Sequence, residues 1–300
     1  MKKYFAILIV CLLAMNFVVM SGCLTAKSDI ARTKSMMNDA NKKIEKIDFK
    51  NDSSSILKDK IHEIKIDYQS ALSILMNAKT VDDNEMVEIE YLTKKLNFNI
   101  QILDYLLRYE DLTVHIQNSS RNLDSNEYSL AHSDISLARQ DLTDAISFSK
   151  QAKTTINSID SNSIALEDKG KFFRCVNFPY LTEPDNDFSI ILDILDSRID
   201  AIDFLDQANI YLKSNDFERA KPYLIAAKAR FENVKEKSNS LINSQNFETY
   251  EMASNISDSA TKQITDIDQV LTIIPPSYSP INPLSFHVIL PQLDNPLALL

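Results

Sequence analysis

Few residues in this chain carry reactive chemistry, and they are scattered. The three cysteines are Cys11, Cys23 and Cys175, and the four histidines are His62, His115, His132 and His287. A metal centre needs imidazole, thiolate or carboxylate ligands at short, recurring spacings, and these histidines are widely separated with no such partners beside them. Cys175 has only Arg174 and Lys171 as nearby basic residues. A reactive thiol requires a cationic or helix-terminal setting, so a packed or idle cysteine is the better reading. The carboxylates Asp193, Asp196, Asp200, Asp203 and Asp206 form the densest cluster. Paired carboxylates can do acid and base work or hold Ca²⁺, but steps of three and four place this set on one helix face, opposite an apolar stripe. A solvated face accounts for them. No catalytic residue, metal ligand or cofactor site is therefore expected, and the chain does not read as an enzyme.

Composition narrows the classes further. Only two glycines, Gly22 and Gly170, occur in 300 residues, and tryptophan is absent. Phosphate-cradling loops, nucleophile elbows and tight hairpins all depend on glycine, which makes sheet-based enzyme folds improbable. Six of the nine prolines lie at or beyond Pro275, leaving most of the preceding chain free of the strongest helix breaker. The net charge is −10, and about −12 without Lys2 and Lys3. Such a surface repels phosphate backbones, so nucleic acid is excluded as a partner.

The elements that would position any site are long helices. Between Asn126 and Ile159, the residues Tyr128, Ala131, Ile135, Ala138, Leu142, Ala145, Ser149, Ala152, Ile156 and Ile159 recur at alternating steps of three and four. They mark one stripe of a helix about 50 Å long, which only another long helix can cover. Similar stripes run through Ile30 to Ile47 and Leu57 to Ala78, and through Ile89, Leu92, Leu96, Ile100, Leu103, Leu107 and Val114. Others include Phe188, Leu192, Leu195, Ile199, Ile202 and Leu205, then Phe217 to Leu241 and Ala253 to Leu271. The expected fold is all-α: long antiparallel helical hairpins forming a duplicated bundle or array. Residues 23–159 and 188–274 hold the two sets of hairpins, and Leu24 to Ser28 is a short polar tether. Residues 160–187 form an irregular linker in which Phe172, Phe173, Phe178 and Tyr180 crowd together, either as a partner contact or as cover for the join between bundles. Residues 275–300 are a Pro-rich irregular tail, read either as a docking segment or as a disordered terminus.

The segment from Met1 to Cys23 has two lysines, an apolar run from Phe5 to Met20, and small residues before a cysteine, which is signal-peptide anatomy. The run is shorter than a spanning helix needs, and Asn16 interrupts it. Met20-Ser21-Gly22-Cys23 resembles the lipobox of bacterial and archaeal membrane lipoproteins, with methionine where that family usually has leucine. The resemblance implies cleavage between Gly22 and Cys23, removal of residues 1–22, and a diacylglycerol on Cys23. It also implies residence on the extracytoplasmic face of the cell membrane.

The chain repeats itself. Leu123-Asp-Ser-Asn-Glu-Tyr128 aligns without gaps with Leu212-Lys-Ser-Asn-Asp-Phe217; Ala131, Ile135, Ala138 and Leu142 then match Ala220, Leu224, Ala227 and Phe231. Such duplication is how helical arrays are built. Phe204, Ala208, Tyr211, Asn215-Asp-Phe217, Ala220, Leu224 and Ala227 are similar to a tetratricopeptide repeat. The chain departs from that pattern at Gln207 and Glu232. That resemblance implies a scaffold that binds a protein or peptide. The expected function is thus a membrane-anchored lipoprotein acting as a binding or assembly module. The alternatives are a solute receptor or enzyme with a pocket between helices, and a passive envelope spacer.

Overall fold

A computed structural model describes residues 26–48, 52–79, 82–159, 185–243 and 247–274. Among these residues there are seven helices and no strand: α1 (Ala26–Ile44), α2 (Ser54–Asn77), α3 (Asp83–Asp124), α4 (Tyr128–Asn157), α5 (Asp185–Lys213), α6 (Phe217–Asn243) and α7 (Phe247–Ile273). The expected all-α class holds. Two boundaries move. The tether proposed for Leu24 to Ser28 is already helical from Ala26, which is fully buried, and the linker proposed to end at residue 187 gives way to helix at Asp185. Gly22, Cys23, Phe172, Phe173, Phe178, Tyr180 and the tail lie outside the described residues.

The helices group into two compact units. Unit 1 falls within Met1–Glu110 and Thr143–Asp185, and unit 2 within Asp111–Leu142 and Asn186–Leu300. The division passes through α3 and α4.

In unit 1, α1 and α2 run antiparallel. Thr33 Oγ1 donates to the Ala71 carbonyl at 3.5 Å, and Lys43 pairs with Glu63 and Asp67 at 2.6 and 2.7 Å. Their facing stripes, Ile30, Thr33, Met37, Ala40 and Ile44 against Leu57, Ile61, Ile64, Tyr68, Ala71 and Leu75, are buried as the spacing predicts. Ser53 caps the start of α2 by accepting from the Ile56 N–H, which satisfies one of the helix's free donors. Lys34 to Glu88 brings the start of α3 beside α1, while Lys65 reaches Asp104 from α2. On its remaining flank α3 meets α4 through Lys94 to the Ser158 carbonyl, 2.9 Å, and Arg108 to Asp144, 3.6 Å.

Three neighbours explain why the single stripe expected of α3 is too narrow. Leu92, Leu96 and Leu103 are buried, but Ile89, Ile100, Leu107 and Val114 are only half-buried. Tyr91, Phe98, Ile102, Tyr105, Leu106 and Tyr109 are buried as well, widening the face to about half the helix circumference. A helix enclosed on several sides has no single apolar seam. In unit 2 the same holds for α5: Leu192 and Ile199 are half-buried, and Ile191, Ile194 and Ala201 enter the core instead.

The duplicated turn is duplicated in geometry. Asn126 and Asn215 have φ of 58° and 59° and are the two non-glycine residues with positive φ among the described residues. Asparagine tolerates this left-handed conformation. The Glu127 N–H donates to the Asn122 carbonyl at 2.8 Å and the Asn126 N–H to Leu123 at 3.0 Å; Asp216 donates to Tyr211 at 2.9 Å and Asn215 to Leu212 at 3.0 Å. Both hairpins, α3–α4 and α5–α6, therefore turn on one Schellman motif, which satisfies the last carbonyls of the first helix before the second begins.

All ten stripe residues from Tyr128 to Ile159 are buried. Leu142→Asp is expected to destabilise the protein by roughly 3 kcal/mol or more, because it leaves an unpaired charge in an apolar seam. Chemical denaturation monitored by circular dichroism measures this; an unchanged midpoint would mean that the seam is not buried.

Candidate functional site

Unit 2 contains a buried charge that the described residues around it only partly offset. Arg198 points from α5 into the interior and is 1% exposed. It is the point where three helices meet. One guanidinium nitrogen donates to Ser120 Oγ on α3 at 2.8 Å and to Ser259 Oγ on α7 at 3.4 Å. Nε has no hydrogen-bond partner among the described residues. Burial pulls the guanidinium down from its ordinary value to about 10, and the charge of Asp124 only partly opposes this. Asp124 itself is held by Lys262 of α7 at 2.6 Å. A guanidinium with an unused N–H is chemically suited to a carboxylate or phosphate oxygen, since its planar fork can donate along two parallel lines.

Sequence reasoning passed over Arg198, although a signal was present. Ile191, Leu195, Arg198, Ile202 and Leu205 share the helical phase of the core, and a charged residue in that phase must be buried or must distort the packing. The aspartates that flank it in sequence give the segment a charged appearance that hides this phase.

Those aspartates do lie on an exposed or half-exposed face, as expected, but they also tie α5 to both neighbours. Asp193 meets Lys237 at 2.9 Å and Asp200 meets Arg230 at 3.3 Å, both on α6. Asp196 meets Arg139, and Asp203 meets His132 at 3.4 Å, both on α4. The hydrogen bonds that Arg139 donates to Asp196 hold its guanidinium above its ordinary value. Steps of three and four send alternate carboxylates to alternate sides. Exposed pairs contribute little energy each, so the ladder's main effect is on register.

The histidines also acquire partners that spacing could not reveal. His115 sits between Asp134, 3.5 Å from Nδ1, and Asp141, 3.7 Å from Nε2, across the α3–α4 seam. Asn122 donates to the other oxygen of Asp134 at 2.7 Å, so that carboxylate is shared between two side chains of α3. His62 is exposed and His287 lies outside the described residues. Among the described residues no group of three or more histidines, cysteines and carboxylates is placed to hold a metal ion.

Two surface features of unit 2 remain. Tyr223 of α6 packs against Phe204 and Tyr211 of α5, with ring centroids 6.5 and 5.5 Å apart, and all three rings are half-buried. Phe204 and Tyr211 are aromatic positions of the repeat-like pattern. On α4, Leu130 and Leu137 stand seven residues apart on one face, 52% and 47% exposed. No protein-family model, curated protein or solved structure matches this chain.

Arg198→Met is expected to stabilise the protein at pH 7 by about 1–4 kcal/mol, because it replaces a buried charge lacking a close carboxylate with an apolar side chain of similar length. Ser120 loses little, since its hydroxyl already donates to the Ile116 carbonyl at 3.0 Å. The folded-state value is depressed, so the cost of the charged form is fully present below about pH 10 and fades as pH rises towards the unfolded value. The advantage of the variant should shrink accordingly. Denaturant titrations at pH 7 and pH 10.5 test both points; a strongly destabilised variant at pH 7 would mean that the arginine is a net clamp.

Proposed function

We propose that this protein is a lipid-anchored scaffold on the extracytoplasmic face of the cell membrane, non-catalytic, and that it binds or assembles another protein through its helical hairpins. The anchor is a diacylglycerol on Cys23, exposed by cleavage after Gly22. The body consists of helical hairpins, and unit 2 presents the binding surface.

The observation that carries the binding reading is the pair Leu130 and Leu137, large apolar side chains one heptad apart and half in water on α4. Side chains at that interval form one edge of the seam that a partner helix fills in helix-on-helix recognition. Their position within the first of two hairpins with matching turns supports the same reading, because repeated hairpins offer elongated surfaces suited to peptide or protein segments. The core does not need these leucines: α4 buries Ala131, Ile135, Ala138 and Leu142 on a different face.

The test uses the full-length precursor expressed in a host able to attach the lipid. Metabolic labelling with a lipid precursor should mark the wild type and not Cys23→Ser. Crosslinking on intact cells should then capture a discrete protein with the wild type, and several-fold less with the Leu130→Lys, Leu137→Lys double variant. Persistent lipid labelling of Cys23→Ser would overturn the anchor. Equal capture by the leucine variant would overturn the assigned surface.

A further inference from the structure

Beyond attachment by a lipid, we propose that one end of unit 1 is a membrane-seating face, with Met76, Met86 and Val87 entering the boundary between headgroups and acyl chains. The proposal rests on the lipidation of Cys23 argued above and adds to it which part of the folded body meets the lipid.

Three helix termini meet at this end. The antiparallel pairing of α1 and α2, with Thr33 against Ala71 and Lys43 against Glu63 and Asp67, puts the start of α1 beside the end of α2. The contact between Lys34 and Glu88 brings the start of α3 to the same place. Met76 is the penultimate residue of α2, and Met86 and Val87 lie in the first turns of α3; they are 76%, 56% and 55% exposed. Methionine side chains are flexible and adapt to irregular apolar surroundings, as a lipid boundary requires.

The chain length identifies the occupant. Cys23 precedes Ala26 by three residues, and three fully extended residues span at most about 11 Å. Ala26 is already helical and fully buried, so α1 has no slack at its start. Neighbouring helices are about 8–10 Å apart, so the end of α2 and the start of α3 lie beside the start of α1. A lipid on Cys23 therefore presses this end of the unit, and not the opposite end, against the membrane. The apolar contribution comes from Met76, Met86 and Val87 alone, and anionic headgroups add no attraction, since among the described residues at this end Lys27 and Lys79 are outnumbered by Asp29, Asp82 and Asp83. Shallow burial of three side chains adds little to a two-chain anchor; its effect is to orient α1, α2 and α3 so that they rise away from the bilayer.

The test places a polarity-sensitive fluorophore at Met86→Cys or, as a control, Ile56→Cys, each in a Cys175→Ser background of the lipidated mature protein in phosphatidylcholine nanodiscs. Ile56 is also exposed but lies near the start of α2, about 30 Å along the helix from Met76. The label at position 86 should emit to the blue of that at 56. Nitroxides on the acyl chains should quench it several-fold more, with no dependence on salt. Equal, water-like emission at both positions, with lipid on Cys23 verified by mass spectrometry, would overturn the seating face while leaving the anchor intact. Absence of the lipid by mass spectrometry would overturn both. A blue shift at position 86 that appears without nanodiscs and grows with protein concentration would mean that a second copy covers the face, and would overturn the lipid assignment.

Discussion

A helix with an apolar face covering half its circumference cannot be satisfied by one neighbour, and two helices here carry such a face. In unit 1 it is α3, bordered by α1, α2 and α4. In unit 2 it is α5, bordered by α4, α6, α3 and α7. The flanking helices bring narrower stripes, many of them built from alanine, which allow backbones to approach. The short turns and the antiparallel order follow from the need to return a helix along the face just made.

Polar groups inside these interfaces set register more than they add stability. In unit 1 the Tyr68 hydroxyl donates to Asn41 across the α1–α2 seam, and burial holds that phenol far above its ordinary value. Lys95, buried on α3, has its ammonium 5.6 Å from the ring centroid of Tyr91. Such a contact lies within the range at which a cation is attracted to an aromatic face. In unit 2 Arg198 reaches two serines on different helices. A one-residue slip in the seams that Tyr68 and Arg198 cross would strand a polar group in an apolar setting, which is costlier than losing an equal area of hydrocarbon contact.

The helices were legible in the sequence wherever one face is buried. The stripes of α1, α2 and α4 follow the residues expected almost one for one, and the repeated Ser-Asn turn announced two hairpins with the same backbone geometry. The stripes of α3 and α5 were only half legible, because a helix with several neighbours spreads its apolar residues around the axis and blurs the period of 3.6. Arg198 was missed for a related reason: its phase, not its residue type, shows that it is buried. The pairings of His115 with Asp134 and Asp141 join residues 19 and 26 positions apart, and only the folded hairpin brings them together.

The most direct measurement of this account is amide hydrogen exchange on the folded mature chain. Peptides from Phe98 to Tyr109 of α3 and from Ala145 to Ala152 of α4, both in unit 1, should exchange slowest, because their amides open only when that unit as a whole unfolds. Peptides spanning the turns at Asn126 and Asn215 should exchange faster than these. If the α3 peptides exchange as quickly as those turns, the helix is not enclosed by its neighbours and the architecture described here is wrong.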